Sequence, residues 1–312
     1  MSSSPTDIAA TSEPTGVPPQ VSVVVPCYNG GRFIPQLLDS LARQTFRDFE
    51  IIIVDDGSTD EATRAALAAL DPTIRVIRQA NKGLSGARNT GIAASRAELV
   101  VPLDCDDTFA PPFIGDAVDL IRTAPADVAM VLCHMTLLGA ASGQLERHFN
   151  RFDLLFTNPI PSAVLLRKES WLAAGGYDEN MRDGYEDWEF YLRLMLRGYR
   201  GVTIPRPYMN YLVSTGGMLF NQSSGKHAAI WRRMRQKHAE AFSPLAMLRL
   251  WRDSRAGSLK DEPGHVSAFK AISAYLMAVA LPERFFSALV ALRRQRHLIG
   301  GNRPAYVLNE KH

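Results

Sequence analysis

The sequence predicts an α/β fold with a mixed, mostly parallel sheet and flanking helices, plus a C-terminal helical appendage. From Val21 onward, short apolar runs alternate with segments of helical periodicity, which is typical of a sheet covered by helices. Polar loops follow three of these runs directly, as expected where strands end at the ligand-binding edge of such a sheet. The 312 residues, 46% of them hydrophobic, can bury one large core.

The first half of the chain contains the clearest predicted elements. Helical spacing between the first two strands predicts an amphipathic helix over Phe33, Ile34, Leu37, Leu38 and Leu41. Ser58 and Glu61 form a candidate capping box for a helix running to about Leu70, and a third helix is expected around Ser85 to Ala94. The predicted strands are Val21 to Val25, Glu50 to Val54, Ile74 to Arg78 and Leu99 to Leu103.

The second half is less regular, and beyond Pro207 the order of elements is hard to read. Strands are predicted at Asp127 to Cys133 and Pro161 to Leu166, followed by a helix from about Lys168. A clear helix spans Glu186 to Arg197 and is closed by Gly198.

Composition divides the chain into three predicted parts. Residues 1–20 are rich in Ser, Thr and Pro and lack a basic start and an apolar core, which predicts a disordered tail rather than a signal peptide. Residues 21–243 form the main domain, and residues 244–312 a helical accessory region. The longest apolar stretch, Ala271 to Leu281, is about half of a membrane span, so no single-pass helix is expected.

Charge and cysteine content bound the partners and the compartment. A net charge of +3 is too small to indicate nucleic acid. Cys27, Cys105 and Cys133 lack metal-like spacing, which predicts reduced thiols in a cytoplasmic protein. The C-terminal helices could attach peripherally to the inner membrane, pack on the main domain or form a homodimer contact. Basic residues cluster beyond Trp231 and suggest an anionic surface or a solvated helix face: Arg232, Arg233, Arg235, Lys237, Arg293, Arg294 and Arg296.

Three carboxylates follow the predicted strand at Leu99. Asp104, Asp106 and Asp107 would repel one another at a buried strand end, so a cation is expected to compensate them. Hard oxygen ligands suit Mg²⁺ or Mn²⁺, and Mg²⁺ commonly shares its shell with substrate phosphates. The alternative is an acidic turn that caps the next helix.

Three further segments carry polar groups suited to a nucleotide, and each has a structural alternative. Asp55-Asp56-Gly57 ends a strand and could accept hydrogen bonds from a base or ribose, or form an ordinary turn. The loop from Asn81 to Asn89 could lie against a diphosphate that Lys82 or Arg88 neutralises, although it fits neither common phosphate-loop motif. Glu186-Asp187 opens a helix, where the dipole favours an ionised base but also an ordinary N-terminal acid.

In this order, the motifs resemble those of family 2 glycosyltransferases with the GT-A fold, a Rossmann-type mixed sheet. The resemblance covers roughly Val21 to Tyr211, and six motifs in order make it specific. It implies a bacterial enzyme of cell-envelope polysaccharide biosynthesis that transfers a single sugar with inversion. The implied donor is a nucleoside diphosphate sugar, most often a UDP-sugar, and the acceptor is a hydroxyl of a glycan or lipid-linked molecule. The motifs are Val21 to Gly30, Gln44-Thr45-Phe46, Val54 to Asp60, Asn81 to Gly91, Leu103 to Asp107 and Gly184 to Trp188.

The resemblance also implies a role for individual residues. Asp187 would be the general base, and Mg²⁺ or Mn²⁺ would bind Asp106, with Asp107 a weaker ligand candidate. Glu186 and Trp188 would lie on the acceptor side. The implied donor-binding residues are Pro26, Tyr28, Asp55, Asp56, Lys82, Arg88 and Asp104.

The chain departs from the family pattern after Tyr208. Many relatives carry a Tyr-Arg or His-containing segment that closes over metal and donor, whereas this chain reads Tyr211 to Met218 without one. His227 is expected to be an exposed helical residue. The Gln-x-x-Arg-Trp motif of processive synthases is absent, which favours single addition. The alternatives are a nucleotidyltransferase and an inactive glycan-binding or scaffold protein of the same fold.

Overall fold

The computed structural model describes residues 17–214 and 226–255 continuously. Several predictions therefore lie outside the described residues: most of the disordered tail, the segment Gly216-Gly217-Met218, and Arg293, Arg294 and Arg296. Beyond residue 255 the structure describes 267, 269, 271–273, 275–276, 281–282, 285 and 287–288.

The core of the fold is a nine-stranded mixed sheet in the order β3-β2-β1-β4-β8-β6-β9-β5, with β7 paired to β6. The prediction of a mixed sheet with flanking helices is confirmed, and the four strands predicted in the first half are present. The strands are β1 Val21–Cys27, β2 Phe49–Asp55, β3 Arg75–Arg78, β4 Leu99–Pro102, β5 Thr108–Phe109, β6 Val128–Gly139, β7 Gly143–Leu145, β8 Leu165–Arg167 and β9 Arg200–Val213.

The parallel half of the sheet brings three polar loops to one edge. β1 pairs in parallel with β2 on one side and with β4 on the other, and every residue of β1 is buried. β-Branched residues fill β1 because both of its faces are covered. Since the three strands run in the same direction, the loops after Cys27, Asp55 and Pro102 lie at the same edge.

The other half of the sheet was only partly predicted. β6 extends to Gly139, beyond the predicted end at Cys133, and the 14-residue β9 was not predicted at all. β9 mixes charged and polar residues with two prolines, so it lacks a clear alternating pattern. It is held by parallel pairing with β6 and antiparallel pairing with β5, both of which are non-local.

Helices are present at the positions predicted before residue 95, near Lys168 and at Glu186, but the helix Phe113–Thr123 was not predicted and one predicted cap needs correction. The predicted capping box of Ser58 and Glu61 is wrong, because the Asp60 side chain caps α2 by accepting a hydrogen bond from Thr63 N at 2.7 Å. The Ser58 hydroxyl instead accepts a hydrogen bond from Asn29 N at 3.1 Å. The helices are α1 Ile34–Ala42, α2 Glu61–Ala68, α3 Gly83–Ala94, α4 Phe113–Thr123, α5 Lys168–Ala174, α6 Glu186–Leu196, α7 His227–Lys237 and α8 Pro244–Arg255.

A close approach of α3 to the sheet positions the start of that helix at the polar edge. A side chain at Gly91 would place its Cβ 2.3 Å from Val24 Cγ1 and 3.0 Å from Val54 Cγ2. Glycine is therefore required for α3 to pack this tightly on β1 and β2. The beginning of α3 thereby lies beside the loop that follows β2.

An apolar cluster packs α6 and α7 against the rest of the domain. It contains Trp188, Tyr191 and Trp231, all at most 2% exposed, and it also takes in Ala271. The boundary predicted at residues 243 and 244 stays a prediction. No helix in the described part of the chain combines the length and apolar character needed to cross a bilayer.

Candidate active site

A cavity of about 530 Å³ opens at the edge where β1, β2 and β4 end. It brings together residues from three strand ends: Pro26 and Tyr28 at the end of β1, Asp56 after β2, and Asp104 and Asp106 after β4. Cys27 and Cys105 line it from the same strand ends, and the start of α3 and the end of β9 form the remaining wall: Asn81, Gly83, Leu84, Ala87, Tyr211, Leu212, Val213 and Ser214. Five of the predicted donor and metal residues therefore share one cavity.

The loop after β1 is held by hydrogen bonds to the loop after β2. Asn29 adopts a positive φ of 53°, a conformation that Asn tolerates better than most residues. Its side-chain Oδ1 accepts a hydrogen bond from Thr59 N at 2.8 Å. Tyr28, next to it, is 52% exposed at the cavity, so its ring is open to a ligand.

Asp55 and Asp56 are both buried and organise the loops around them. Asp55 Oδ1 accepts a hydrogen bond from Ser58 N at 2.9 Å, which forms the turn after β2. The Asp56 carboxylate accepts hydrogen bonds from Gln79 Nε2 at 2.7 Å, Lys82 N at 2.8 Å and Gly83 N at 2.8 Å. Asp56 lines the cavity, whereas Asp55 does not.

The two predicted cations differ in their surroundings. The Lys82 side chain is exposed at the start of α3. Arg88 is 1% exposed and donates to Asp104 Oδ1 at 2.6 Å and to Glu186 Oε1 at 2.7 Å. Although burial opposes its charge, these two carboxylates hold the pKa of Arg88 above its usual value. Arg88 does not line the cavity; it connects the acidic loop after β4 to the beginning of α6.

The acidic loop of Asp104, Asp106 and Asp107 carries negative charge that the chain compensates only in part. Burial, and next the charge of Asp104, raise the pKa of Asp106 to about 6. The same two causes raise the pKa of Asp107, which is 1% exposed. Asp107 Oδ1 accepts a hydrogen bond from Leu212 N at 3.0 Å, whereas its buried Oδ2 has no hydrogen-bond partner among the described residues.

Two thiols lie next to this acidic loop. Cys27 and Cys105 carry free thiols, and both line the cavity. The neighbouring Cys105 side chain lowers the pKa of Cys27, whereas the Cys27 side chain, and next burial, raise the pKa of Cys105. Cys133 is fully buried in β6, apart from that cavity.

Asp187 is the second residue of α6, and its carboxylate is held at both oxygens. Oδ1 accepts a hydrogen bond from Trp188 N at 2.7 Å, and Oδ2 accepts one from Asn158 Nδ2 at 2.9 Å. Burial raises the pKa of Asp187, while the charge of Arg88 and these hydrogen bonds oppose the rise. A carboxylate with a raised pKa is a better base than an exposed one.

Glu186 and Trp188, which flank Asp187 and were predicted to lie on the acceptor side, are both buried. Trp188 is 1% exposed and donates its indole hydrogen to Leu154 O at 2.7 Å, so it is a core residue with no surface to offer a ligand. Glu186 is 6% exposed and paired with Arg88, and burial raises its pKa. Through Arg88, Glu186 is connected to Asp104 in the acidic loop.

The expectation that His227 is exposed is wrong. The residue is 7% exposed at the start of α7, and its Nδ1 lies 3.0 Å from the Tyr185 hydroxyl. The ring stacks between Trp188 and Trp231. The aromatic residues around it, dispersed in sequence, explain why a helical histidine is buried here.

Sequence reasoning missed three groups near the site. Asn158 lies in an irregular loop with no motif, 29 residues before Asp187 in the sequence. Only the fold reveals the contact between them. Tyr211 and Leu212 were noted as a departure but not as a cavity wall. Arg32, whose charge lowers the pKa of Asp106, lies shortly after β1, where a cation could have been singled out.

The described residues contain no group of three or more His, Cys, Asp or Glu side chains arranged to hold a metal ion. The carboxylates of the acidic loop therefore do not form such a group by themselves.

Residues 22–171 match the family model described as Glycosyl transferase family 2. The chain is 52% identical over 91 residues to the uncharacterized glycosyltransferase EpsJ of Bacillus subtilis, a segment covering 28% of this chain and 26% of that protein. It is 37% identical over 158 residues to the uncharacterized glycosyltransferase YibD of Escherichia coli, covering 50% of this chain and 44% of that protein. The aligned segments thus span less than half of either relative.

Two solved structures have the same fold. S. aureus TarS 1-349 in complex with UDP-GlcNAc superposes with a TM-score of 0.59 at 20% identity, covering 91% of each chain. The mannosyltransferase PcManGT from Pyrobaculum calidifontis, in complex with GDP-Man and Mn²⁺, superposes with a TM-score of 0.54 at 20% identity, covering 92% of this chain and 89% of that one. The predicted GT-A fold is confirmed.

Proposed function

We propose that this chain is a family 2 glycosyltransferase that moves one sugar from a nucleoside diphosphate sugar to an acceptor hydroxyl, because residues 22–171 match that family. The observation that carries this proposal is the cavity lined by Asp56, Asp104 and Asp106 at the carboxyl ends of three strands. Polar groups at that edge of an open α/β sheet are where such folds bind nucleotides.

The donor is proposed to be a UDP-sugar, with GDP- and dTDP-sugars next. Pro26, Tyr28 and Asp56 would contact the base, and Asp55 would hold their loop in place through its turn at Ser58. Asp104 would face the ribose or sugar. Lys82, which is exposed at the rim, would offset diphosphate charge, whereas Arg88 would act from below by fixing Asp104.

The acidic loop fits a hard divalent cation, Mg²⁺ or Mn²⁺. Its carboxylates are hard oxygen donors, and the pKa of Asp106 is raised. Asp107 Oδ2 has no hydrogen-bond partner among the described residues, so these residues leave part of the charge uncompensated. Asp106 is the main proposed ligand and Asp107 a secondary one. Mg²⁺ is commonly held by one or two carboxylates together with substrate phosphates, so a complete protein ligand set is not required. When bound, the cation would supply positive charge to the diphosphate leaving group.

Asp187 is proposed as the general base of an inverting reaction. Its carboxylate would take the proton of the acceptor hydroxyl as that oxygen attacks the anomeric carbon from the side opposite the diphosphate. Asn158 would keep Oδ2 oriented toward the acceptor, and burial would keep the carboxylate basic. The ion pairs from Arg88 to Asp104 and Glu186 would fix the donor side and the base side relative to each other.

The acceptor is proposed to be a glycan or a lipid-linked molecule of the bacterial cell envelope, and the protein a cytoplasmic enzyme. Peripheral contact with the inner membrane is supported by α8 and the residues after it. Leu245 and Leu248 are each 57% exposed and Phe269 is 80% exposed, while Arg249 and Arg252 lie on the exposed side of α8. Salt-sensitive co-sedimentation with anionic liposomes, lost on truncation at Pro263, would support that contact. Failure to co-sediment would contradict the proposed membrane contact.

The proposed activity is tested by incubating the full chain with Mn²⁺ and a panel of UDP-, GDP- and dTDP-sugars. We expect slow, metal-dependent release of free nucleoside diphosphate from one donor, and a rise in melting temperature with that donor. Release of pyrophosphate would instead identify a nucleotidyltransferase. A chain that binds no nucleotide with or without Mn²⁺ would fit the inactive scaffold.

A further inference from the structure

Cys27 ends β1, and Cys105 lies three residues beyond the end of the neighbouring strand β4. β1 and β4 pair in parallel with Val21 facing Leu99 and Val24 facing Pro102, a constant offset. The hydrogen bond from Leu103 N to Val24 O, 2.9 Å long, continues the pairing beyond β4. After Leu103 the chain leaves the strand and turns, with Asp107 N bonded to Asp104 O at 3.1 Å, and this turn carries Cys105.

Side-chain contacts show that the two sulfur atoms share one space. A Cβ atom added at Gly30 would lie 2.6 Å from Cys105 Sγ and 3.5 Å from Cys27 Sγ. Gly30 therefore leaves the room that both sulfur atoms occupy.

The pair is accessible from solvent through the cavity that both residues line. Cys105 is partly exposed, whereas Cys27 is only 1% exposed. A small oxidant entering the cavity would reach the pair, but the fully buried Cys133 lies outside that cavity.

We propose that Cys27 and Cys105 form an oxidation site at which hydroperoxides produce a disulfide that disturbs the nucleotide cavity. One thiolate attacks the terminal peroxide oxygen, so the O–O bond breaks and leaves a sulfenic acid and hydroxide. The second thiol attacks the sulfenic sulfur, the S–S bond forms, and water leaves. The two thiols together lose two electrons and two protons, and hydrogen peroxide is reduced to two molecules of water.

The bond would change the cavity because of where its two ends lie. Cys27 is flanked by Pro26 and Tyr28, and Cys105 by Asp104 and Asp106, all of which line the cavity. Drawing the sulfur atoms into bonding distance would move the acidic loop relative to the loop after β1. The effect on nucleotide binding rests on the proposed function; formation of the disulfide does not.

The experiment treats the full chain with hydrogen peroxide, alkylates the remaining thiols under denaturing conditions and measures the mass. We expect one alkylated thiol out of three and a peptide pair linked through Cys27 and Cys105. Cys133→Ser, the matched control, should form the same disulfide and leave no free thiol. Cys27→Ser and Cys105→Ser should form none. Sulfinic acid at Cys105 without a cross-link, or a cross-link that includes Cys133, would overturn the proposal.

The consequence is measured as binding of UDP with Mn²⁺ by calorimetry. Oxidation should weaken binding by about tenfold, the size of one lost charge-assisted contact, and dithiothreitol should restore it. In Cys105→Ser, peroxide should leave the affinity for UDP unchanged. A disulfide that leaves UDP affinity unchanged would overturn the effect on the cavity. If the reduced protein fails to bind UDP, the proposed donor is wrong, while mass spectrometry still decides the disulfide.

Discussion

The chain compensates the negative charge of Glu189 and that of the acidic loop in opposite ways. Glu189 in α6 is fully buried, yet Arg193 Nε at 2.9 Å, Lys237 Nζ at 2.8 Å and His238 Nε2 at 2.9 Å all contact its carboxylate. Although burial alone would raise it, hydrogen bonds from His238 and Arg193 lower the pKa of Glu189 to about 2. In the acidic loop, by contrast, burial raises the pKa of Asp106 to about 6.

Under the proposed function, this difference separates a structural carboxylate, Glu189, from a ligand-binding one, Asp106. Glu189 connects α6 to α7, and the chain itself supplies every opposing charge that this role requires. The acidic loop gains support from Arg88 and Leu212 N, but Asp106 has no ion pair in the described residues. A charge left uncompensated in this way is expected where a ligand provides the compensation.

The largest effect is expected from Asp106→Asn. Loss of the main metal-binding carboxylate should reduce metal-dependent transfer by about a thousandfold or more, because charge stabilisation of the leaving group contributes several kcal/mol. Without metal, the same variant should melt at the same temperature or higher. The pKa of Asp106 in the folded protein, about 6, exceeds the ordinary value, so its ionisation costs stability as pH rises through that range.

Activity is measured with the preferred donor, and melting is followed at pH 8 with and without a chelator. The exposed Asp39→Asn, in α1, serves as the control. Wild-type turnover in Asp106→Asn would remove the metal assignment, and a large drop in its melting temperature would show that Asp106 resembles Glu189.

The variant Asp187→Asn tests whether Asp187 supports the structure, as Glu189 does, or takes part in the reaction. An amide of the same shape can keep the contact with Trp188 N but cannot accept a proton. Transfer should fall by about a hundredfold to ten-thousandfold, while the affinity for UDP with Mn²⁺ stays near the wild-type value.

Both are measured beside Asp183→Asn, which changes an exposed carboxylate in the preceding loop. Equal losses of binding and transfer in Asp187→Asn would indicate that Asp187 supports the structure rather than the reaction.

Glu189→Gln should produce the opposite pattern, with stability lost rather than activity. Breaking a buried pair leaves its partners uncompensated and costs about 3–5 kcal/mol, measured as the free energy of unfolding in urea at pH 7. The low pKa of Glu189 also gives a sign: its contribution is complete above the ordinary carboxyl pKa and is lost as pH falls toward about 2. The difference between wild type and variant should therefore shrink in acid; a constant difference would contradict this account.

Asn158→Ala should have the smallest effect. Without its hydrogen bond the pKa of Asp187 rises further, so the base becomes protonated at a higher pH. The acidic limb of the pH profile of kcat should move upward, with a loss of about tenfold at acidic pH, and recover partly in Asn158→Gln. An unchanged limb with uniformly lower kcat would mean that Asn158 only supports its loop.

The sequence predicted the features that depend on local patterns, but not those that depend on contacts between distant residues. Periodic apolar runs identified β1, β2, β4 and their helices, and the motifs at the strand ends identified five residues of the cavity. The contacts of Arg88 were not predictable, because its partner Glu186 lies 98 residues away. β9 was missed because its charged and polar residues mask the strand, and His227 because its burial depends on residues from other elements.

The contact between Leu212 N and Asp107 has a consequence for the order of folding. The two residues are 105 positions apart, and β9 joins the sheet through non-local pairing with β5 and β6. Such pairings form slowly because a long loop must close first. During synthesis the parallel half can emerge and fold while the acidic loop still lacks this partner. A nascent chain that stops before residue 200 would thus carry the carboxylates of the acidic loop without the β9 residues that line the cavity.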